Sequence, residues 1–464
     1  MIQLRAYQED NIERIRHHYR NGVARVCYQL PTGGGKTIVF CWIVAEAAKK
    51  GSRVLILAHR NEILEQISRA LDRFGIEHGI IAAGYDENPS ASVRLASVFT
   101  LARRSDKAGQ FDLVIVDECH HAVASTWRDI LKAMSDARSL GVTATPLRLD
   151  GKGLSDIYDV LVTGPTVREL IELEHLAPFV AYGQKHKLDL SDIDITAGDY
   201  RADQLADVMS DSIVISTAVS EYRRLSPGKP SIAFCVNIAH SRRVTRAFQA
   251  DGWRAAHVDG ETPRELRRKL ISDFANGKLD VLSNCGLISE GLDIEGAPTA
   301  ILLRPTMSLA LYLQQVGRVL RPGKPRAVIL DHAGCIARHG LPDHPHNWTL
   351  EGRPKGGVPM PKAKQCEHCG TFNLLNAAHC IECGTAFVIE KKPVSPPSER
   401  FTELTEIIPS EVNVLASMPR EEAWAWAGRD RERLKIVAKA RGYKLGWVWY
   451  RMQEPIQKTT AQGD

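Results

Sequence analysis

The sequence predicts an α/β protein: two tandem parallel-sheet lobes, then a small four-cysteine module and a small, mostly helical C-terminal segment. Three observations carry this. An apolar run over 23–30, a glycine loop and a second apolar run over 38–48 read as strand, loop and helix. Apolar strands then alternate with helical stretches in two successive series, the pattern of a parallel α/β sheet. Far downstream stand two C-x₂-C pairs, each followed by glycine. The expected boundaries are 1–164 for the first lobe, 165–345 for the second, 346–390 for a linker with the cysteine module, and 401–464 for the C-terminal segment.

Composition narrows the class. With 44% hydrophobic and 25% charged residues the chain reads as an ordinary globular protein, and a net charge of +5 gives no global pull toward polyanions. The most apolar stretch, 38–45, is too short to span a bilayer, and no charged, apolar leader opens the chain. Of ten cysteines, six (Cys27, Cys41, Cys119, Cys235, Cys285, Cys335) sit singly in apolar or motif contexts, which argues for a cytoplasmic protein without a disulfide framework.

The first lobe is organised around Leu30-Pro31-Thr32-Gly33-Gly34-Gly35-Lys36-Thr37. Consecutive glycines let several backbone N–H groups converge at the positive end of the following helix, where a polyphosphate fits. Lys36 would meet its outer phosphates and the Thr37 hydroxyl a Mg²⁺ ion. Leu30 departs from the general phosphate-loop pattern, which has glycine there. Strands are expected at 54–58, 78–82, 93–96, 113–116 and 140–142, with a helix over 61–74. The strand at 113–116 runs into Asp117-Glu118-Cys119-His120-His121, delivering two acids to the carboxyl edge beside the glycine loop. One acid can hold Mg²⁺ and the other can orient the water that attacks a γ-phosphate. Leu140-Gly141-Val142-Thr143-Ala144-Thr145-Pro146 closes the lobe with two hydroxyls.

The order LRxYQ, PTGGGKT, DECH, TATP resembles the motor core of superfamily-2 helicases, in the DEAH/DECH branch. The resemblance implies two RecA-like lobes with ATP and Mg²⁺ between them. It implies that Arg5 and Gln8 contact adenine, and that Thr32, Gly33, Gly34, Gly35, Lys36 and Thr37 hold the phosphates and metal. It also implies that Thr143 and Thr145 couple nucleotide to nucleic acid, and that His59 and Arg60 touch the nucleic-acid backbone. For either of those last two residues alone, a solvated helix start is an equal reading.

In the second lobe, 166–176 reads as a helix, 178–182 as a strand and the acid-rich 189–203 as a surface loop. Strands follow at 231–236, 255–258, 281–283 and 300–303, with helices over 240–251 and 263–276. There is no second glycine-lysine loop. Glu290-Gly291-Leu292-Asp293 and Leu313-Gln314-Gln315-Val316-Gly317-Arg318-Val319-Leu320-Arg321 resemble the last two motifs of the same superfamily. Gly291 and Asp293 are thereby expected at the nucleotide and Gln314 at the catalytic centre. Arg318 and Arg321, three apart and so on one helix face, are expected to reach the transferring phosphoryl group from the second lobe. Only 23 residues lie between Asp293 and Gly317, which leaves no room for the strand-splitting hairpin of several DEAH-type helicases.

The stretch 332–365 reads as a linker that includes His344, Pro345 and His346. Cys366, Cys369, Cys380 and Cys383 then form two knuckles suited to structural Zn²⁺, with His368 and His379 as substitute ligands. A Pro-bearing linker (391–400) leads to a segment holding Trp424, Trp426, Trp447 and Trp449. Between 420 and 451 nine Lys/Arg face four acids, so the tryptophans can be a core or a base-stacking platform.

Two lobes plus a cysteine module resemble RadD-type bacterial and phage members of superfamily 2. That implies an ATP-dependent nucleic-acid motor acting on DNA in repair, recombination or replication. The expected motor is a monomer, nucleoid-associated when bound, and a single-strand-binding protein or another repair factor is an expected partner. The motor subunit of a restriction-type system, and a zinc-containing scaffold with weak ATPase activity, are the alternatives.

Overall fold

A computed structural model describes residues 2–85, 87–104, 109–122, 125–148, 151–183, 188–196, 198–287, 297–323, 326–352 and 363–387. Beyond these it describes 415, 418–428, 430–441, 443 and 446–453. The chain divides into two compact units, Met1–Val388 and Ile389–Asp464.

The first lobe opens with helix α1 (Ala6–Arg20), strand β1 (Arg25–Gln29) and helix α2 (Lys36–Lys49). β2 (Val54–Ala58), α3 (Asn61–Arg73), β3 (His78–Ile81), β4 (Val93–Ser97) and α4 (Val98–Ala102) follow. β5 (Leu113–Asp117), α5 (Ser125–Ala133), β6 (Arg138–Thr143) and β7 (Val160–Thr163) complete it. The strands form one parallel sheet in the order β3-β4-β2-β5-β6-β1-β7. β2 is buried at every position because helices cover both faces, and so it reads as an unbroken apolar run. The edge strand β7 was not expected from sequence.

The second lobe contains α6 (Val167–Glu172), β8 (Phe179–Gly183), the hairpin β9 (Ile195–Thr196) and β10 (Asp199–Tyr200), α7 (Ala202–Met209) and α8 (Ser212–Leu225). β11 (Ser231–Phe234), α9 (Ile238–Ala250), β12 (Ala255–Val258), α10 (Arg264–Ala275) and β13 (Val281–Asn284) come next. β14 (Thr299–Leu302), α11 (Leu309–Gly317), β15 (Ala327–Asp331) and α12 (Cys335–His339) end it. Its parallel sheet runs β12-β13-β11-β14-β15-β8.

Several expectations need correction. The loop expected over 189–203 contains the hairpin and the start of α7. It is anchored by Asp199, whose carboxylate accepts from Thr306 Oγ1 (2.8 Å) and Met307 N (2.7 Å). α8 and β15 were not foreseen, and the helix expected over 166–176 stops at Glu172 and turns through Glu174 at φ 58°.

The largest correction is the linker expected over 332–365. Its first part folds as α12, and 341–352 forms a strap across both lobes. Leu341 is buried in the second-lobe core, and Asp343 pairs with Arg168 at 2.6 Å. Leu350 is buried in the first-lobe core, where its carbonyl accepts from Leu154 N (2.7 Å) and Ser155 N (3.0 Å). A Cβ at Gly153 would lie 1.8 Å from that carbonyl, so the strap needs glycine there. His346 packs against Trp348 with ring centroids 4.9 Å apart, so these residues belong to a packed element rather than a spacer.

The cysteine module, with short strands β16 (Lys364–Gln365) and β17 (Phe372–Asn373), is built onto the free edge of β8. Gly183 N donates to Gly370 O (3.2 Å), Gln365 Nε2 donates to Gly183 O (2.6 Å), and Phe372 is buried in the second-lobe core.

The C-terminal unit holds the helices Arg420–Ala427, Arg431–Ala440 and Gly446–Gln453. Trp424, Trp426 and Trp447 pack against a core of Ala423, Ala427, Leu434, Val437, Ala438 and Val448. Arg420 and Arg451 each lie 4.0 Å from the Trp424 ring. The core reading therefore holds for these three tryptophans, while the Trp449 side chain lies outside the described residues.

Candidate nucleotide cleft and cysteine cluster

The glycine loop joins β1 to α2, and its glycines serve different ends. Gly33 and Gly35 take φ of 86° and 90°, which side chains other than hydrogen rarely tolerate. At Gly34 a Cβ would meet Leu30 Cγ at 2.8 Å. Leu30 is fully buried and also lies 2.5 Å from where a Gly164 Cβ would be, so it packs the loop against the end of β7. That is the physical reason for leucine where the general pattern has glycine.

The N-terminal motif braces the loop. Tyr7, which the sequence reading did not single out, donates its hydroxyl to Gly34 O at 2.6 Å and accepts from Arg5 Nη1 at 3.0 Å. Gln8 Nε2 donates to Gly34 O at 3.4 Å, and its Oε1 accepts from Arg5 N at 3.0 Å.

Asp117 ends β5, and Glu118 turns out of it in the left-handed region at φ 49°, a conformation that costs about 1–3 kcal/mol and clusters at functional sites. The two half-buried acids differ in environment. Burial, then the neighbouring Glu118 charge, pushes the Asp117 carboxyl up, with Lys36 and Arg318 opposing. Burial also works to raise Glu118, but the Lys36 and Arg318 charges oppose it, and this carboxyl lies below its usual range. The pair is thus split into one acid that resists ionisation and one that stays charged.

His120 Nδ1 lies 3.0 Å from Thr143 Oγ1 and 3.4 Å from Glu118 Oε2. Thr143 Oγ1 donates to Thr145 O (3.0 Å) and accepts from Thr145 N (3.1 Å). His59 is turned inward: its ring centroid is 4.9 Å from that of His121, which is 4.2 Å from that of His120. Burial, then His121, lowers His59 to about 4, and the same causes lower His120 to about 3, so both rings are neutral near pH 7.

From the second lobe, α11 ends at Gly317, so Arg318 and Arg321 follow the helix rather than sharing a face of it. A Cβ at Gly317 would lie 2.6 Å from Thr32 Cβ, and one at Gly33 would lie 2.7 Å from Leu176 Cδ2. The glycines permit the lobes to touch there. Gln314 and Arg318 are buried. Lys36, Thr37, Asp117, Glu118, Arg318 and Arg321 all line one cavity of about 730 Å³. Its outer wall is an ion-pair clasp between α3 and α10. Arg267 pairs with Glu62, Arg264 pairs with Glu65, and Arg268 Nη2 reaches Glu65 Oε1 at 2.8 Å. The α10 arginines escaped the sequence reading because a basic helix face looks like any solvated one. Gly291 and Asp293 lie outside the described residues.

In the cysteine module the four Sγ atoms of Cys366, Cys369, Cys380 and Cys383 lie within 4.8 Å of one another. The Cys366–Cys383 and Cys369–Cys380 separations are 3.6 and 3.5 Å, near the ~3.8 Å edge of a tetrahedron with 2.3 Å metal–sulfur bonds. Asn373 Nδ2 donates to Cys380 Sγ (3.6 Å), and the Thr385 hydroxyl, the largest influence, helps lower the Cys383 thiol to about 5. The donor set fits a closed metal site.

Two RecA-like lobes meeting over a glycine loop, with paired acids on one side and arginines on the other, define a class: ATP-hydrolysing two-lobed motors. Residues 1–148 match the family model "Type III restriction enzyme, res subunit", and residues 214–323 match "Helicase conserved C-terminal domain". A 51.5 kDa protein of a Lactococcus phage is 36% identical, over 82% of this chain and 82% of its own length. IRC3 of Saccharomyces cerevisiae, described as a candidate ATP-dependent helicase, is 31% identical over 72% of this chain, which spans 52% of its length. The solved structure of the type ISP restriction-modification enzyme LlaBIII bound to DNA shares the fold, with a TM-score of 0.53 at 19% identity over 71% of this chain and 27% of that one. The chain belongs to superfamily 2 of helicases and ATPases, and is an ATP-hydrolysing nucleic-acid motor. Family membership implies ATP and Mg²⁺, and the cysteine cluster is suited to a metal. Among the described residues no helix is long and apolar enough to cross a membrane.

Proposed function

We propose that this chain couples ATP hydrolysis to movement along, or remodelling of, DNA, acting in the cytoplasm on nucleoid DNA. The observation that carries the reading is the single cavity uniting Lys36, Thr37, Asp117 and Glu118 of the first lobe with Arg318 and Arg321 of the second. Lys36 and the loop N–H groups bind the triphosphate, with Thr32 at the lobe contact and the Arg5–Tyr7–Gln8 brace at the adenine end. Thr37 and Asp117 are the residues that would hold Mg²⁺, which neutralises phosphate charge when bound. Glu118, held charged, orients the attacking water and takes its proton. Arg318 and Arg321 meet the charge that develops on the transferring group, with Gln314 buried in the helix that leads to them. Arg60, at the carboxyl edge of β2, faces the strand path, and Thr143 and Thr145 relay between strand and nucleotide. DNA is favoured over RNA because the first family model describes a restriction-enzyme subunit. The same match supports a second reading, a restriction-type motor subunit with its nuclease on a separate partner.

Turnover measured alone and with single-stranded DNA, duplex DNA and RNA tests the proposal. DNA should stimulate it most. Turnover indifferent to every nucleic acid would sink the reading.

The cysteine cluster is assigned to one structural Zn²⁺, consistent with four thiolates and no open position. Elemental analysis should find one zinc per chain, and a Cys380→Ser/Cys383→Ser variant should lose it and melt at a lower temperature, because the module is continuous with β8. Metal-replete protein without zinc would refute the assignment.

A further inference from the structure

We infer that the histidine stack His59–His121–His120 is the element through which a strand bound at the carboxyl edge of the first lobe repositions Glu118. The inference rests on the motor reading and extends the Thr143–Thr145 relay outward, from His120 beside Thr143 through His121 to the residues at the end of β2.

Topology sets up the contact. β2 lies beside β5, with Leu57 opposite Val116, so His59 leaves one strand where Asp117 and Glu118 leave the next. β2 also pairs with β4, Ala58 opposite Ser97, so His59 and Arg60 emerge next to Val98 and the exposed Phe99. One end of the stack therefore sits among edge residues that a strand can touch. The other end reaches the chemistry: His120 Nδ1 approaches Thr143 Oγ1 at 3.0 Å and Glu118 Oε2 at 3.4 Å.

The stack is held by ring packing at its outer end. Both ring nitrogens of His59 are buried and make no hydrogen bond within the described structure. Leaving such a donor unsatisfied is unfavourable, and an acceptor that arrives relieves it. A phosphate oxygen brought to Arg60 is such an acceptor. Drawing the His59 ring toward it withdraws support from His121, whose ring contacts His59 on one side and His120 on the other. His120 then shifts relative to Glu118, and the carboxylate, already in a strained left-handed turn, takes up its working position. His59 and His121 are thus positioning residues; neither touches the reacting atoms.

The test uses the full chain, with oligo-dT and oligo-U as probes, and measures basal turnover, stimulated turnover and the KM for ATP. His121→Ala removes the middle ring. The ratio of stimulated to basal turnover should fall by about 5- to 150-fold, the range of coupling between linked sites, with the KM for ATP and oligonucleotide affinity little changed. His121→Phe keeps a ring of similar reach without the nitrogens and should retain most of the stimulation. Retained stimulation in His121→Ala would overturn the inference while leaving the motor reading intact, as would equal loss in His121→Ala and His121→Phe. A wild-type chain that neither oligonucleotide nor duplex DNA stimulates would overturn both.

Discussion

Glu118→Gln is expected to cut ATP turnover by ~10²–10⁴-fold, the contribution typical of a positioned general base, while ATP still binds. The substitution keeps size and shape in a half-buried, left-handed position and removes only the charge. It also removes the second-largest influence raising the Asp117 carboxyl, so the residue assigned to the metal should ionise more readily and nucleotide should be held at least as well. Lys36→Ala should behave differently, losing affinity as well as turnover, because it deletes a phosphate contact and one of the charges that keeps Glu118 ionised. Nucleotide affinity by equilibrium binding, set beside steady-state turnover, separates the two. Normal turnover in Glu118→Gln would reassign the base.

Most of the first lobe was legible because parallel strands buried on both faces leave unbroken apolar runs that end at chemistry: Leu113–Asp117 ends in the acids, and Arg25–Gln29 leads to the glycine loop. What escaped depends on contacts distant in sequence. β7 was not foreseen, yet a buried Leu30 and a cramped Gly164 tie its end to the phosphate loop. The strap over 341–352 looks like a linker because Pro, His and Gly break any period, and its order comes from Leu350 and the Gly153 cradle. Likewise His59 reads as an edge residue facing outward until His121 is seen against it. The loop, acids and arginines that line the cleft stand in motifs legible in the sequence, while the contacts that brace them, such as Tyr7 on Gly34 and Gly317 on Thr32, are tertiary.

The same tertiary closeness sharpens what the second-lobe arginines should do. Arg321→Ala is expected to lower nucleic-acid-stimulated turnover by ~10³-fold or more, as loss of an arginine that meets a transferring phosphoryl group does, with little change in ATP affinity. Arg321 lines the cleft but is not among the main charges acting on either acid, so its removal should leave the resting electrostatics of Asp117 and Glu118 largely intact. Arg318 is a different case. It is buried and already helps to hold both carboxyls down, so Arg318→Ala should lose a similar factor in turnover and also weaken ATP binding. Oligonucleotide affinity without nucleotide is the control, and it should persist in both variants because the edge residues proposed to meet the strand lie on other elements. A ~10³-fold loss is about 4 kcal/mol of transition-state stabilisation, far more than an exposed ion pair supplies, so the result separates a catalytic role from a surface one. If both variants kept full stimulated turnover, the two arginines would be structural residues at the lobe contact, and closure of the cleft would have to be driven from the α3–α10 clasp instead.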